Sequence, residues 1–316
     1  MKLNEALENI EDPRIERCKK HKLSDILTIC LLGFLCGLTD IENIAYWARQ
    51  SLDTLRKIIP LENGVPSADT ILRVLAIMDP KRFEEVLISV TKTYLDELTA
   101  KDIKEFVAID GKTVRGSRTK SSKGIHIVSA WANKLNLFLG QVKTDVKSNE
   151  ITAIPELLDL LDLKNTIITI DAMGCQKNIA KKIVEKKADY VLSLKGNQST
   201  LQTDVEDFFK SMNEPNFVKR YAITKSELTV EKGHGRIEKR QTFLCCSLDW
   251  LKCRKDWANL NAIGMTIASR TIGDETTVER QYFISSLTDV EQCKKAFRNH
   301  WGIENTVLKS VNLMTA

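Results

Sequence analysis

Apolar residues between positions 21 and 100 recur at steps of three and four, which is the spacing of helices with one apolar face. Several of these stretches follow a residue whose side chain can accept hydrogen bonds from the first backbone N–H groups of a helix. These candidate N-caps are Ser24, Asp40, Ser67 and Asp79. The pattern predicts a small all-α domain over residues 1–100.

The period changes at Phe106, where short runs of apolar and β-branched residues replace the helical spacing. Three such runs come first, and helical and strand-like stretches then alternate. The predicted strands are 106–109, 126–132, 137–142, 166–170 and 190–194, and the predicted helices are 151–161 and 176–187. The resulting order, βββαβαβ, is that of an RNase H-like fold.

Residues from about 200 to 287 show a third pattern, in which strand-like runs such as 241–246 and 281–285 alternate with loops rich in Gly, Asp and Lys. We interpret this stretch as a β-rich insertion. The chain then returns to helix after Asp289, a candidate N-cap. The prediction is an α/β protein whose RNase H-like catalytic core, residues 101–316, carries the insertion and follows the all-α domain.

Composition narrows the class of protein. A hydrophobic share of 43% in 316 residues can fill folded cores, which argues against a disordered chain. The net charge of +5 suits a polyanionic partner but is common in other proteins. Eight cysteines show no CxxC pair and no zinc spacing, so we expect reduced thiols in a cytoplasmic protein. The longest apolar run, 26–38, is shorter than the roughly 20 residues that span a bilayer.

Two aspartates stand directly after predicted strands of the same sheet, Asp110 after the first and Asp171 after the fourth. Neighbouring strands are ~4.8 Å apart, so carboxylates at equivalent strand ends can share divalent cations. Hard oxygen ligands without His or Cys nearby favour Mg²⁺ or Mn²⁺. The alternative interpretation is that both are turn residues, since Asp-Gly at 110–111 is a common turn dipeptide.

Glu304 is the candidate third acid of this site. It lies on the last predicted helix, seven residues after Phe297 and three after Trp301, so the three positions share one helical face. Packing of the aromatic residues against the sheet would direct the carboxylate inward. An exposed helical glutamate is the alternative.

Basic and polar residues near the two aspartates are candidate DNA contacts, because a nucleic-acid backbone must pass the proposed metals. A basic run directly follows Asp110, a polar turn follows the last core strand, and a glycine-rich basic stretch lies in the insertion. A solvated hairpin or an ordinary polar turn explains each stretch as well. The candidates are Lys112, Arg115, Arg118, Lys120 and Lys123 in the run, Lys195, Asn197 and Gln198 in the turn, and His234 and Arg236 in the insertion.

Short motifs occur in order along nearly the whole chain. They are Asp12-Pro13-Arg14, Gly64 to Thr70, Ala108 to Lys112, Thr169 to Gln176, Leu194 to Gln198, Gly233 to Glu238, Ile284 to Leu287 and Arg298 to Asn305. Together they resemble the H-repeat-associated transposases, insertion-sequence DDE enzymes often found beside Rhs elements. The resemblance implies that Asp110, Asp171 and Glu304 are the catalytic acids, and that the helical N-terminal domain, residues 1–100, is the family's accessory or DNA-binding domain.

The segment after Glu304 departs from the family pattern. Family members continue with Leu-His-Trp and further acidic residues, whereas this chain reads from Thr306 to Ala316. We read this as a C-terminal truncation and expect loosely held last helical turns and weak or absent strand transfer. The leading hypothesis is a transposase that acts on double-stranded DNA as a homodimer. The alternatives are a DNA-binding relic without catalysis and an RNase H-like nuclease that only hydrolyses.

Overall fold

A computed structural model describes residues 3–38, 40–79, 81–82, 85–86, 104–113, 126–134, 137–144, 150–233 and 235–310. The chain divides into two compact units, one of residues 1–101 with 305–316 and the other of residues 102–304. Among the described ranges, no helix has an apolar stretch that would reach across a bilayer.

The described residues from 3 to 86 form helices and contain no strand. The cap of α3 is confirmed, because Asp40 Oδ1 accepts hydrogen bonds from the backbone N–H groups of residues 42 and 43. The cap of α5 is confirmed by the Ser67 hydroxyl. Ser24 is not a cap, because buried Leu23 already begins α2. The helices are α1 (Leu3–Glu8), α2 (Leu23–Leu35), α3 (Ile41–Gln50), α4 (Leu52–Leu55) and α5 (Ala68–Ile77).

Beyond residue 104 the predicted order of three strands followed by alternating helices and strands is observed. The strands are β1 (Glu105–Thr113), β2 (His126–Ala132), β3 (Leu137–Thr144), β4 (Thr166–Ile170), β5 (Asp189–Leu194), β6 (Thr224–Lys225), β7 (Thr229–Gly233), β8 (Arg236–Cys245), β9 (Ala262–Ile272) and β10 (Glu275–Ser285). The helices are α6 (Glu150–Leu160), α7 (Lys177–Glu185), α8 (Ser199–Lys210), α9 (Phe217–Arg220) and α10 (Val290–Ser310). Asp289 caps α10 as predicted, since its Oδ1 accepts from the N–H of Gln292 at 2.7 Å.

All ten strands belong to one mixed sheet. Its order is β3-β2-β1-β4-β5-β10-β9-β8-β6, with β7 paired to β8. Strands β1, β4 and β5 are parallel, and β10 closes on β5 in the antiparallel sense. The stretch from about 200 to 287, predicted as a β-rich insertion, begins with helices over 199–220. Its strands extend the central sheet and do not form a separate one. The helical start has a simple cause, since Val205, Phe208 and Phe209 recur at helical spacing and are buried.

Helices cover both faces of this sheet. On one face, α6, α7 and α8 bury residues such as Leu157, Ile183 and Val205 against strand residues that include Ile109 and Leu192. On the other face, the start of α10 packs against the alternate strand residues. This second cluster includes Phe106, Ile167, Val191, Phe283, Cys293 and Ala296. Alternate residues of β1, β4 and β5 thus belong to two different cores. The side chains just beyond the strand ends are not needed to fill either core.

The seven cysteines whose side chains are described are free thiols. Burial raises the pKa of Cys175 and of Cys293 to about 12, against an ordinary value of 9.0. An acid whose pKa is raised by folding stabilises the folded state below its unfolded pKa, and this contribution is lost as pH rises toward the folded value. We therefore expect the free energy of unfolding to fall between pH 8 and pH 10 by on the order of 1 kcal/mol for each of these thiols.

Urea unfolding at pH 8, 9 and 10 measures this fall. The control is a Cys175→Ala, Cys293→Ala double variant, which should lose about 2 kcal/mol less over the same interval because neither thiol can ionise. The comparison concerns the change with pH, so the cavity that each alanine leaves cancels. Equal pH dependence in the two proteins would show that these thiols do not contribute.

Candidate active site

Asp110 and Asp171 occupy equivalent positions on neighbouring parallel strands. Ile109 of β1 is aligned with Ile170 of β4, so the two aspartates are the next pair along the strands. Parallel strands end at a common edge, and the ~4.8 Å strand spacing brings the two backbones together there. One expectation is corrected: Asp110 does not follow β1 but lies within it, opposite Ser129 of β2. The antiparallel pairing with β2 extends β1 to Thr113, past the end of its apolar run.

Both aspartates line one cavity of about 480 Å³ at this edge. Strands β1, β5 and β10 and the residues directly after β4 contribute to it, and α8 and α10 contribute from the sides. Polar and charged side chains are numerous there, as in a site for a charged ligand. The lining residues include Asp110, Asp171, Ser193, Lys195, Gln202, Glu206, Glu279, Arg280, Gln281, Tyr282, Phe297 and His300.

The Asp171 carboxylate is held by the backbone that follows it. Its Oδ1 accepts hydrogen bonds from the N–H of Met173 at 3.0 Å and of Gly174 at 3.3 Å, so it caps a single 3₁₀ turn. Gly174 closes that turn over Ile170, whose Cγ2 would lie 2.2 Å from a Cβ at position 174. One carboxylate oxygen is thereby fixed, and the geometry leaves Oδ2 as the oxygen that can bind a ligand.

Asp110 is flanked by charge on one side and by a buried pair on the other. Its Oδ2 lies 3.8 Å from Lys112 Nζ, and its side chain is 18% exposed. Next to Gly111, the residue that follows Asp110, His126 Nε2 and Glu150 Oε1 are 2.6 Å apart, and their side chains are only 2% and 5% exposed. Gly111 makes room for them, since a Cβ there would lie 2.5 Å from the Glu150 carboxyl group and 2.9 Å from His126 Nε2. The glycine therefore serves a close approach within a strand and not a turn.

Helix α10 brings a further side chain to the cavity. His300 Nδ1 lies 3.2 Å from the hydroxyl oxygen of Thr169, two residues before Asp171. Three residues earlier, Phe297 packs on Phe283 of β10 with ring centroids 5.5 Å apart. The predicted inward packing of Phe297 is confirmed. Glu304 lies on this helix one turn after His300, and the side chains of Glu304 and Trp301 lie outside the described residues.

The turn after β5 ties two loops of the site together. Asn197 Nδ2 donates to the backbone oxygen of Ala172, and Gln198 Nε2 donates to that of Cys175 at 3.0 Å. These amides, predicted as DNA contacts, thus hold the loop that follows Asp171. Lys195 is exposed and lines the cavity.

The remaining predicted DNA contacts are more scattered. Arg236 begins β8 and forms an ion pair with Glu238, with an Nε to Oε1 distance of 2.9 Å. Lys112 lies beside Asp110, as described above. The other candidates lie outside the described residues: Arg115, Arg118, Lys120, Lys123 and His234.

Three contributors to this region escaped the sequence analysis. Arg280 and Tyr282 line the cavity from β10, which the sequence assigns to a separate insertion. The contact of His300 needs the alignment of α10 with β4, which no local pattern contains. Among the side chains that the structure describes, no three of His, Cys, Asp and Glu form a group that could hold a metal ion, and Glu304 is not among them.

Residues 101–310 match the family model described as "Transposase DDE domain". The chain belongs to this family. Residues 4–91 match a second model, described as "DDE_Tnp_1-associated". The chain is also similar to relatives named as H repeat-associated transposases, and this similarity confirms the resemblance that the motifs indicate.

Three relatives illustrate the similarity of this transposase-family chain. "H repeat-associated putative transposase YhhI" of Escherichia coli (strain K12) is 40% identical over 314 residues, which are 96% of this chain and 80% of the relative. "Putative transposase YncI" of Escherichia coli O157:H7 is 39% identical over 305 residues, 94% and 76% of the two chains. An "Uncharacterized protein in dhlA 3'region" of Xanthobacter autotrophicus is 41% identical over 283 residues, 89% and 93%.

Proposed function

We propose that this member of the transposase DDE family is a DNA transposase that cuts and joins phosphodiester bonds at a site of Asp110, Asp171 and Glu304 on an RNase H-like core. The observation that carries the proposal is the alignment of the two aspartates on neighbouring parallel strands, both facing one polar cavity. A pair of carboxylates so placed suits chemistry that needs closely spaced divalent cations.

The donor set fits Mg²⁺ or Mn²⁺. Asp110 and Asp171 supply hard carboxylate oxygens, and Oδ2 of Asp171 is not used by the hydrogen bonds that fix Oδ1. A pair of such ions, when bound, activates the attacking oxygen and stabilises the leaving oxygen of a phosphodiester. Glu304 is the proposed third ligand. It continues the stripe of α10 that faces the sheet, since Phe297, His300 and Glu304 follow one another at three- and four-residue steps.

The chain's own residues have separate parts in this reaction. Asp110, Asp171 and Glu304 would hold the ions, and the backbone N–H groups after Asp171 keep its carboxylate in one orientation. Asn197 and Gln198 act indirectly, because they fasten the loop that carries Asp171. Exposed Lys195 supplies positive charge at the cavity for a phosphate group, and Lys112 lies beside Asp110.

Double-stranded DNA is the proposed partner, as both the element end and the target. The basic run from Lys112 to Lys123 begins at the edge where Asp110 lies, so a DNA backbone bound by the run would pass the proposed site. Arg236, at the start of β8, and His234 are further proposed DNA contacts. We propose a homodimer on DNA, and a cytoplasmic location follows from these partners.

A DNA-binding relic without catalysis is the second candidate. The observation that favours it is a 35% identical match over 79 residues to a relative named "Inactive transposase YbfQ" of Escherichia coli (strain K12). An RNase H-like nuclease that only hydrolyses would use the same three acids. Metal-dependent cleavage separates the enzymes from the relic, and joined products separate the transposase from the nuclease.

The test uses the purified chain, Mn²⁺ and a duplex that carries the DNA flanking its reading frame, with a supercoiled plasmid as target. We expect cleavage at the element end and joining of that end to the plasmid, both absent with EDTA. Cleavage without any joined product would favour the nuclease. Binding without cleavage would favour the relic and overturn the proposal.

A further inference from the structure

The cavity edge changes charge from one strand to the next. Asp110 lies on β1 and Asp171 directly after β4, whereas Lys195, directly after β5, and Arg280 of β10 line the same cavity. Leu194 is aligned with Tyr282, so the next position of the antiparallel ladder puts Lys195 opposite Gln281, the residue beside Arg280. The two aspartates thus line one side of the cavity, and Lys195 and Arg280 line the other side together with Glu279.

Arg280 differs from the other arginines of this unit. Seven arginines lie in the described residues from 126 to 310. Five of them form ion pairs with Asp or Glu, and Arg220 lies over the ring of Tyr221. Arg280 is exposed and, among the described side chains, has neither an ion pair nor a ring contact. An arginine held at a cavity without an acid partner is available to an anionic ligand.

The acids nearest to these cations already have partners. Glu206 Oε1 lies 3.3 Å from Lys210 Nζ, and Glu279 Oε1 accepts a hydrogen bond from Gln281 Nε2 at 2.7 Å. Exposed Lys195 likewise has no ion pair among the described residues. Among the described residues, neither Lys195 nor Arg280 is therefore engaged in an ion pair, while Glu279 keeps its own negative charge in the same cavity lining.

We propose that Lys195 and Arg280 form a phosphate-binding subsite for the DNA strand, next to the phosphodiester that reacts at Asp110 and Asp171. The proposal rests on the proposed function and adds the path of the strand, from β1 and β4 across β5 to β10. Strand β10 lies two strand spacings from β4, about 10 Å, and each DNA strand carries a charge every 3.4 Å of axis, so the subsite holds a phosphate about three nucleotides from the reacting one. The planar guanidinium of Arg280 suits bidentate contact with phosphate.

The experiment measures DNA binding without divalent metal, by fluorescence anisotropy of an element-end duplex at several KCl concentrations. We expect Lys195→Gln and Arg280→Gln each to reduce the slope of log K against log[KCl] by about 0.9, the value for one phosphate contact. Arg254→Gln is the matched control, because Arg254 is exposed, is paired with Asp249 at 3.2 Å and lies outside the cavity lining. Its slope should match that of the unchanged protein.

A second arm locates the phosphate. Duplexes in which one phosphate at a time is replaced by a neutral methylphosphonate are compared on the unchanged protein and on Arg280→Gln. The unchanged protein should lose affinity at one position that Arg280→Gln tolerates without further loss. Equal slopes for Arg280→Gln and Arg254→Gln, an identical methylphosphonate profile in both proteins, or no DNA binding would overturn the subsite. Failure of the proposed function appears separately, as Mn²⁺-dependent cleavage that survives Asp110→Asn.

Discussion

Replacing Asp110 or Asp171 by Asn should lower the rate of metal-dependent DNA cleavage by at least about 10³-fold, which corresponds to roughly 4 kcal/mol of activation free energy. Each change removes one carboxylate from an aligned pair on adjacent strands and keeps the shape of the side chain. The same variants should lose Mn²⁺ affinity, measured by titration calorimetry, so the effect does not rest on activity alone. DNA affinity in EDTA should stay within about twofold, because neither aspartate attracts a phosphate.

The control for this pair is Glu206→Gln, an acid of the same cavity that is paired with Lys210. It should retain cleavage within a few-fold. Glu304→Gln should behave like the aspartate variants if Glu304 completes the site. Cleavage by Glu304→Gln at the unchanged rate would remove Glu304 from the site, and unchanged Mn²⁺ binding by Asp110→Asn would remove the metal site itself.

Replacing Glu150 by Ala should lower the free energy of unfolding by about 1–3 kcal/mol, because it leaves His126 buried without the carboxylate beside it. The loss includes the space that the missing carboxyl group leaves behind Gly111. Urea unfolding at pH 7, followed by tryptophan fluorescence, measures it. Mn²⁺ affinity of the folded variant should fall too, since the strand position next to Asp110 loses its support.

Glu185→Ala is the matched control for Glu150→Ala. Glu185 also belongs to a helix of the same unit, but its side chain is exposed and pairs with Lys181 at 3.8 Å. Exposed pairs of this type contribute only about 0.3–0.5 kcal/mol. Similar losses for the two variants would show that the buried pair contributes no more than a surface contact.

The strands of the first half of the sheet could be predicted because each is a continuous run of residues of the types that fill protein cores. The run from Phe106 to Ile109 is apolar throughout, and the run from Thr166 to Ile170 is β-branched throughout. Such continuous runs identify strands covered on both faces. Asp171 follows its strand as predicted. The position of Asp110 within β1 could not be predicted, because pairing with β2 and not local propensity sets the end of that strand.

The partnerships that shape the site depend on residues far apart in the chain. The pairing of His126 with Glu150 depends on α6 beginning beside β2, and the glycine between them resembles an ordinary turn residue in the sequence. The polar turn at Asn197 and Gln198 suggested contact with DNA, whereas the structure uses both amides on the loop after Asp171. Amide side chains suit either partner, so their residue types alone could not distinguish the two.

The closure of β10 on β5 has a consequence for the synthesis of the chain. Leu194 pairs with Tyr282, about 90 residues later, so the outer edge of β5 has no partner while the intervening segment is being made. At synthesis rates of about 5–20 residues per second, that interval is roughly 5–20 s. An apolar strand with unpaired backbone groups is open to wrong pairing during such a delay, with another nascent chain as one partner. A newly made molecule is thus open to aggregation until β10 has paired with β5. The codon usage of residues 195–285, and chaperones that bind the chain while these residues are made, would determine what fraction of molecules folds correctly.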